Sequence, residues 1–140
     1  MATQATTTRS GGCHCGRVRY EVDLDLAAGT GKCNCSICRK TRNWGAMVRP
    51  DAFRLLDGAD ALTDYQFGSR AAHWPFCKVC GVRSFGHGDI PDAGGAFYSV
   101  NVNTLDDATP EELAAAPVRY ANGRDNDWGH APAEAERSIL

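Results

Sequence analysis

Seven cysteines in a chain of 140 residues fall into three groups: Cys13 and Cys15 as C-x-C, Cys33, Cys35 and Cys38 as C-x-C-x-x-C, and Cys77 and Cys80 as C-x-x-C. Thiols at such spacings hold metal ions or cycle as redox couples. An odd count leaves at least one thiol outside any full set of intramolecular disulfides, so a disulfide framework explains it poorly. Residues two apart on an extended strand point to one side, so each C-x-C can offer both sulfurs to one metal while His14 and Asn34 face away. Zinc closes a structural site with four ligands, whereas a catalytic site keeps three protein ligands and an open fourth position. Seven thiols divide as four and three. Soft thiolates select zinc over magnesium, calcium or manganese, with an iron–sulfur cluster as the lesser alternative.

Neighbouring residues suggest the partition. Gly16 follows Cys15 and Gly81 follows Cys80, and a glycine there permits the left-handed turn that aims backbone N–H groups at sulfur. These two pairs read as matched knuckles of a closed site, Cys13, Cys15, Cys77 and Cys80, tying the start of the domain to its middle. Cys38 is followed instead by Arg39, Lys40, Thr41 and Arg42. Cations there stabilise thiolates, and Arg39, Lys40 and Arg42 are candidates to bind an anionic substrate. Cys33, Cys35 and Cys38 are thus the candidate open, reactive site. Other readings remain: both sites only hold the fold, one trio is a small apolar cluster, or His87 or Asp89 closes the fourth position. A redox couple at Cys77 and Cys80 is a further option, although a closed zinc site would lock both thiols.

The elements that must position these thiols are short. Apolar or alternating segments separated by Gly, Asp, Asn and Pro predict a mainly β, antiparallel domain over residues 11–130, with flexible ends at 1–10 and 131–140. Strands are expected near Arg17 to Val22, Trp44 to Arg49, Phe53 to Leu56, Leu62 to Phe67, Ala71 to Phe76, Val82 to Gly86, Phe97 to Asn103 and Val118 to Tyr120. One helix is clearly signalled: Thr109 as N-cap, Pro110 in the first turn and Glu112 as capping-box partner, stopped by Pro117. A further helical turn is expected around Ser36 to Thr41.

Composition narrows the class of partner. Fifteen Lys and Arg against 17 Asp and Glu give a net charge of -2, so the chain carries no overall electrostatic drive toward nucleic acid or anionic membrane. No stretch approaches the ~20 apolar residues of a membrane helix. The Thr-rich start, with a single Arg9 and no apolar run, does not read as a secretory signal or transit peptide. A cytoplasmic location follows as the expectation, where thiols stay reduced and clustered cysteines hold metal.

Trp44, Trp74, Phe76 and Trp128 are candidates to line a pocket, although aromatic residues on short strands more often fill a core. His73 and His87 are candidate acids or bases near neutral pH, set against ordinary surface or core histidines. Asn122-Gly123 marks a tight turn first and a substrate contact second.

Gly11-Gly12-Cys13-His14-Cys15-Gly16, then Cys33-Asn34-Cys35-Ser36-Ile37-Cys38, then Phe76-Cys77-Lys78-Val79-Cys80-Gly81-Val82 together resemble the glutathione-dependent formaldehyde-activating enzyme family, which includes centromere protein V. The likeness extends to Asn122-Gly123-Arg124-Asp125-Asn126-Asp127-Trp128. It implies an Mss4-like fold of several short coiled sheets around a zinc site. It also implies a structural zinc on Cys13, Cys15, Cys77 and Cys80 and a catalytic zinc on Cys33, Cys35 and Cys38. The implied activity is that of a carbon–sulfur lyase, formally joining formaldehyde to glutathione as S-(hydroxymethyl)glutathione. In that reading a thiol bound at the open position becomes a thiolate and adds to an aldehyde carbonyl. The alternative is a zinc-stapled module without chemistry, carrying glutathione or another thiol or binding a protein.

Overall fold

The strands in chain order are Thr7–Gly12 (β1), Arg19–Leu24 (β2), Thr30–Cys33 (β3), Gly45–Val48 (β4), Phe53–Asp57 (β5), Leu62–Thr63 (β6), Ala72–His73 (β7), Phe76–Cys77 (β8), Phe85–Ile90 (β9), Gly95–Asn101 (β10) and Val118–Ala121 (β11). Three helices, Ser36–Thr41 (α1), Pro110–Ala115 (α2) and Glu134–Arg137 (α3), accompany them. All lie within residues 6–140, which the computed structural model describes. The chain is mainly β, as its segmented apolar pattern predicts.

Three small sheets result, ordered β1-β2-β5, β11-β3-β4-β10-β9-β7 and β6-β8. Along β2 the pattern alternates: Tyr20, Val22 and Leu24 are buried while Arg19, Glu21 and Asp23 lie between them on the more open face. Phe53 of β5 is the centre of the packing. Its ring lies 4.5 Å from Tyr98, 4.6 Å from Phe85 and 5.5 Å from Tyr20. The column continues from Tyr98 to His87 at 5.0 Å and from His87 to His73 at 4.6 Å. Aromatic packing of this kind clamps the first sheet to the second.

Several sequence expectations need correction. The sheets are not wholly antiparallel, because β11 runs parallel to β3, with Val118 opposite Thr30 and Ala121 opposite Cys33. Parallel neighbours need a long crossover, and nearly the whole domain intervenes here. The segment Ala71 to Phe76 divides into β7 and β8 at Trp74-Pro75, where proline has no N–H to donate. The strand expected at Leu62 to Phe67 ends at Thr63, and the carboxylate of Asp64 turns aside to His73. The strand near Val82 begins later, at Phe85.

Residues 7–10, read as a loose end, belong to β1 and pair with β2, with Arg9 bound to the Glu112 carboxylate. Polar composition suits an edge strand, which pairs along its length with β2 and meets the 105–106 segment only at its end, where Asp106 N–H donates to Ser10 O at 2.9 Å. The expectation for residues 1–5 lies outside the described residues. The other end is also built: α3 follows Ala133, and Leu140 is buried at 5% exposure. Thus α2 is not the only helix in the C-terminal part. Helix α2 itself starts as read, with Thr109 and Glu112 exchanging both capping-box hydrogen bonds.

Candidate functional site

The Sγ atoms of Cys13, Cys15, Cys77 and Cys80 all lie within 4.8 Å of one another. The Cys13–Cys15 and Cys15–Cys77 separations are both 3.6 Å, far beyond the roughly 2.05 Å of a disulfide. Four thiolates about 2.3 Å from a tetrahedral metal are about 3.8 Å apart, so spacing and donor chemistry fit zinc. The two knuckles are built alike. Cys13 N–H donates to Val18 O and Cys77 N–H to Val82 O, each at 3.1 Å, and Gly16 (φ 87°) and Gly81 (φ 78°) make the left-handed turns. Val18 N–H and Val79 N–H point at the sulfurs of Cys13 and Cys77, at 3.3 and 3.4 Å. The N–H groups of Val82 and Cys15 hold the Cys80 thiol down at about 6. Convergence comes from turns rather than from a strand, since Cys13 and Cys15 lie beyond the end of β1.

Cys33, Cys35 and Cys38 form a second group within 4.8 Å, and no histidine or carboxylate joins them among the described residues. Cys33 ends β3, Cys35 caps α1 and Cys38 is buried inside it. Of the three, Cys33 accepts hydrogen bonds from the others. Thiol donors Cys35 and Cys38, followed by the N–H groups of Cys35 and Gly123, pull it down to about 2, while Cys35 and Cys38 are raised in exchange.

The parallel pairing of β3 and β11 brings the next segment, Asn122–Asp127, to this group. Asn34 lies between two of the cysteines with its side chain turned away from them and 1% exposed. Its Oδ1 accepts from Arg124 N–H at 3.0 Å, and its Nδ2 donates to Asn122 Oδ1 at 2.8 Å. Gly123 is thereby pressed against the sulfur: a β-carbon there would lie 2.7 Å from both Cys33 Sγ and the Trp128 ring. Trp128 Nε1 donates to Asn126 Oδ1 at 2.7 Å, while Asp127 N–H returns to Asn122 O at 3.0 Å and closes the loop. The terminal motif therefore walls the three-thiol group.

A cleft of about 670 Å³ opens beside it, lined by Cys33, Lys32, Asn43, Ser99, Arg119 and Trp128 among others. Among the aromatic candidates, Trp128 faces this cleft, and it is 64% exposed. Trp44 binds Thr30 Oγ1 at 2.8 Å, Trp74 lines a smaller cavity, and Phe76 is half-buried in β8. Arg39 and Lys40 lie exposed in the last turn of α1, and Arg42, in a left-handed conformation at φ 49°, reaches Leu140 O at 3.5 Å. Lys32 and Arg119 are the cations of the cleft, and sequence reasoning missed them. The signal available was position, one residue before Cys33 and in the strand that completes its sheet.

His73 and His87 lie away from the sulfurs, stacked on each other, with His73 Nδ1 2.6 Å from Asp64 Oδ2. Burial, then the neighbouring His73, pushes His87 below its usual value. Asp89 is exposed on β9. Among the described residues no helix is long and apolar enough to cross a membrane.

Small sheets joined by a closed four-thiol group, with a three-thiol group facing a cleft, define a cysteine-rich β protein of Mss4-like fold whose thiols are disposed to hold zinc. The chain belongs to the glutathione-dependent formaldehyde-activating enzyme family, whose profile matches residues 8–121. It is also similar to a Rhodobacter sphaeroides protein of known crystal structure, solved as a structural-genomics target. The two are 37% identical over 79% of this chain and 99% of that one, with a TM-score of 0.65.

Proposed function

We propose that the chain is a zinc-dependent carbon–sulfur lyase acting on thiol–aldehyde adducts, of the S-(hydroxymethyl)glutathione synthase type. The observation that carries this reading is the contrast between the two thiol groups. Four sulfurs close on each other between matched turns, while three converge with no fourth protein ligand and one of them, Cys33, faces the large cleft. Cys33, Cys35 and Cys38 would hold a zinc that lowers the pKa of a substrate thiol. Cys13, Cys15, Cys77 and Cys80 would hold a second, structural zinc.

The reaction forms a C–S bond between the thiol sulfur and the aldehyde carbon, and the carbonyl oxygen takes up a proton; the reverse breaks the same bond. This chain's residues position the partners. The N–H groups of Cys35 and Gly123 fix the Cys33 sulfur, and the Trp128 ring walls off one side of the cleft from water. Arg39 and Lys40, exposed on the same short helix as Cys38, and Arg42 just past its end draw anionic thiols such as glutathione toward the site.

Replacing Cys35 with Ser tests the reading through zinc content and turnover of formaldehyde with glutathione. Loss of one zinc per chain together with turnover is the expected result. One zinc lost with turnover intact would overturn the catalytic assignment and leave a thiol-carrying or protein-binding module.

A further inference from the structure

Arg83 leaves the second knuckle two residues after Gly81. Its neighbours are fixed on both sides: Val82 O accepts from Cys77 N–H at 3.1 Å and Ser84 O accepts from Asn101 N–H at 2.9 Å. The guanidinium lies over the Trp74 ring, 5.2 Å from its centre. Its Nε is buried, with no hydrogen-bond partner among the described residues. Buried arginine nitrogens are normally satisfied.

Arg9, also partly buried, has the Glu112 carboxylate. Arg83 has neither a carboxylate nor, at its buried Nε, any other acceptor among the described residues. Its Nε donor is therefore left unspent beside the aromatic ring.

A cavity of about 50 Å³ adjoins it, lined also by Asn43 and Ser99. Those same two residues line the large cleft that reaches Cys33, and Asn43 N–H donates to Cys38 O at 3.0 Å. At this size the space takes a small polar group rather than a whole substrate. A carboxylate is planar and accepts two parallel bonds from the guanidinium fork.

We propose that Arg83, backed by Trp74, is a specificity-determining residue of this site that receives a carboxylate of the thiol substrate. The proposal rests on the thiol–aldehyde reading above for the placement of the sulfur. Glutathione carries a carboxylate, and 2-mercaptoethanol does not.

The test compares 3-mercaptopropionate with 2-mercaptoethanol by calorimetric titration of the zinc-loaded protein. The unaltered protein should bind the first about tenfold more tightly or better, the worth of a charge-assisted pair. Arg83→Gln should abolish the preference and Arg83→Lys keep part of it. Equal binding by the unaltered protein, or a preference that survives in Arg83→Gln, overturns the proposal. A second measurement needs no variant fold: the Arg83 Nε–Hε resonance of the unaltered protein should shift with acetate. A shift with acetate but no turnover of any thiol would leave the carboxylate site standing and remove the lyase reading. No shift with acetate or 3-mercaptopropionate removes the carboxylate site whatever the turnover.

Discussion

The side-chain amide of Asn34 donates to Oδ1 of Asn122 across 2.8 Å, joining the peptide between two cysteines of the open group to the loop that walls it. Asn34 also accepts the Arg124 N–H, so one buried side chain sets the distance between Cys33 and Gly123. Asn34→Ala should cost about 1–3 kcal/mol, since partners are left unsatisfied in a buried place. Denaturant unfolding checks the magnitude. Faster amide exchange at residues 122–128 than in the unaltered protein checks the location.

Gly123→Ala tests the wall itself. The added methyl meets Cys33 Sγ and the Trp128 ring at 2.7 Å, closer than packed atoms tolerate, so the loop must move off the sulfur. The expected outcome is at least a tenfold fall in kcat/KM, equivalent to about 1.4 kcal/mol of lost transition-state stabilisation. Two zincs per chain with unchanged turnover would contradict the assigned role.

Trp128→Ala separates binding from stability. A side chain 64% exposed contributes little to the core, so unfolding should shift by no more than about 0.5 kcal/mol. A raised KM for the thiol, with stability nearly constant, is the expected pattern. A large loss of stability would show that the ring belongs to the fold instead.

Cys80→Ser should behave unlike any change in the open group. The four-thiol group joins the β1–β2 turn to β8, so a structural metal there contributes to folding directly. Soluble yield should fall sharply, and a chelator should lower the melting temperature of the unaltered protein and of Cys35→Ser by similar amounts, because both keep the structural zinc. Comparable yield for both serine variants would argue against the division of labour.

Acid should act in two stages. Burial and His73 depress His87 below 6.5, so its contribution is whole above 6.5 and is lost as pH falls through the lower folded value. Asp23, held by Arg54 and Thr8, and Glu112, held by Arg9 and the Thr109 N–H, are both lowered to about 2 from 3.8 and 4.5. Their contribution is whole above those ordinary values and fades as pH drops toward 2. Denaturant midpoints measured against pH should show both stages, and Asp23→Asn should flatten only the second.

Much of the thiol geometry is legible in the sequence because it is local. Gly16 and Gly81 signal the knuckles, Ser36–Thr41 forms the expected turn of helix, and Thr109 with Glu112 announces α2. The rest depends on partners far apart in the chain. Nothing around Thr30–Cys33 announces a parallel partner at Val118–Ala121, because that pairing has no hairpin and no turn chemistry of its own. Trp128 carries a resemblance in the sequence, and only the fold shows its ring beside Gly123 and Cys33. Arg83 reads as one more basic residue until its buried, unpartnered Nε is seen.

The parallel pairing of β11 with β3 also orders events during synthesis. The four-thiol group has all its ligands once Cys80 has emerged, whereas Gly123 and Trp128 follow only later. At about 5–20 residues per second, the open thiols of Cys33, Cys35 and Cys38 wait for seconds without their wall. During that interval they are exposed to oxidants and to competing soft metals, so the maturing chain is most vulnerable at the very site it will later use.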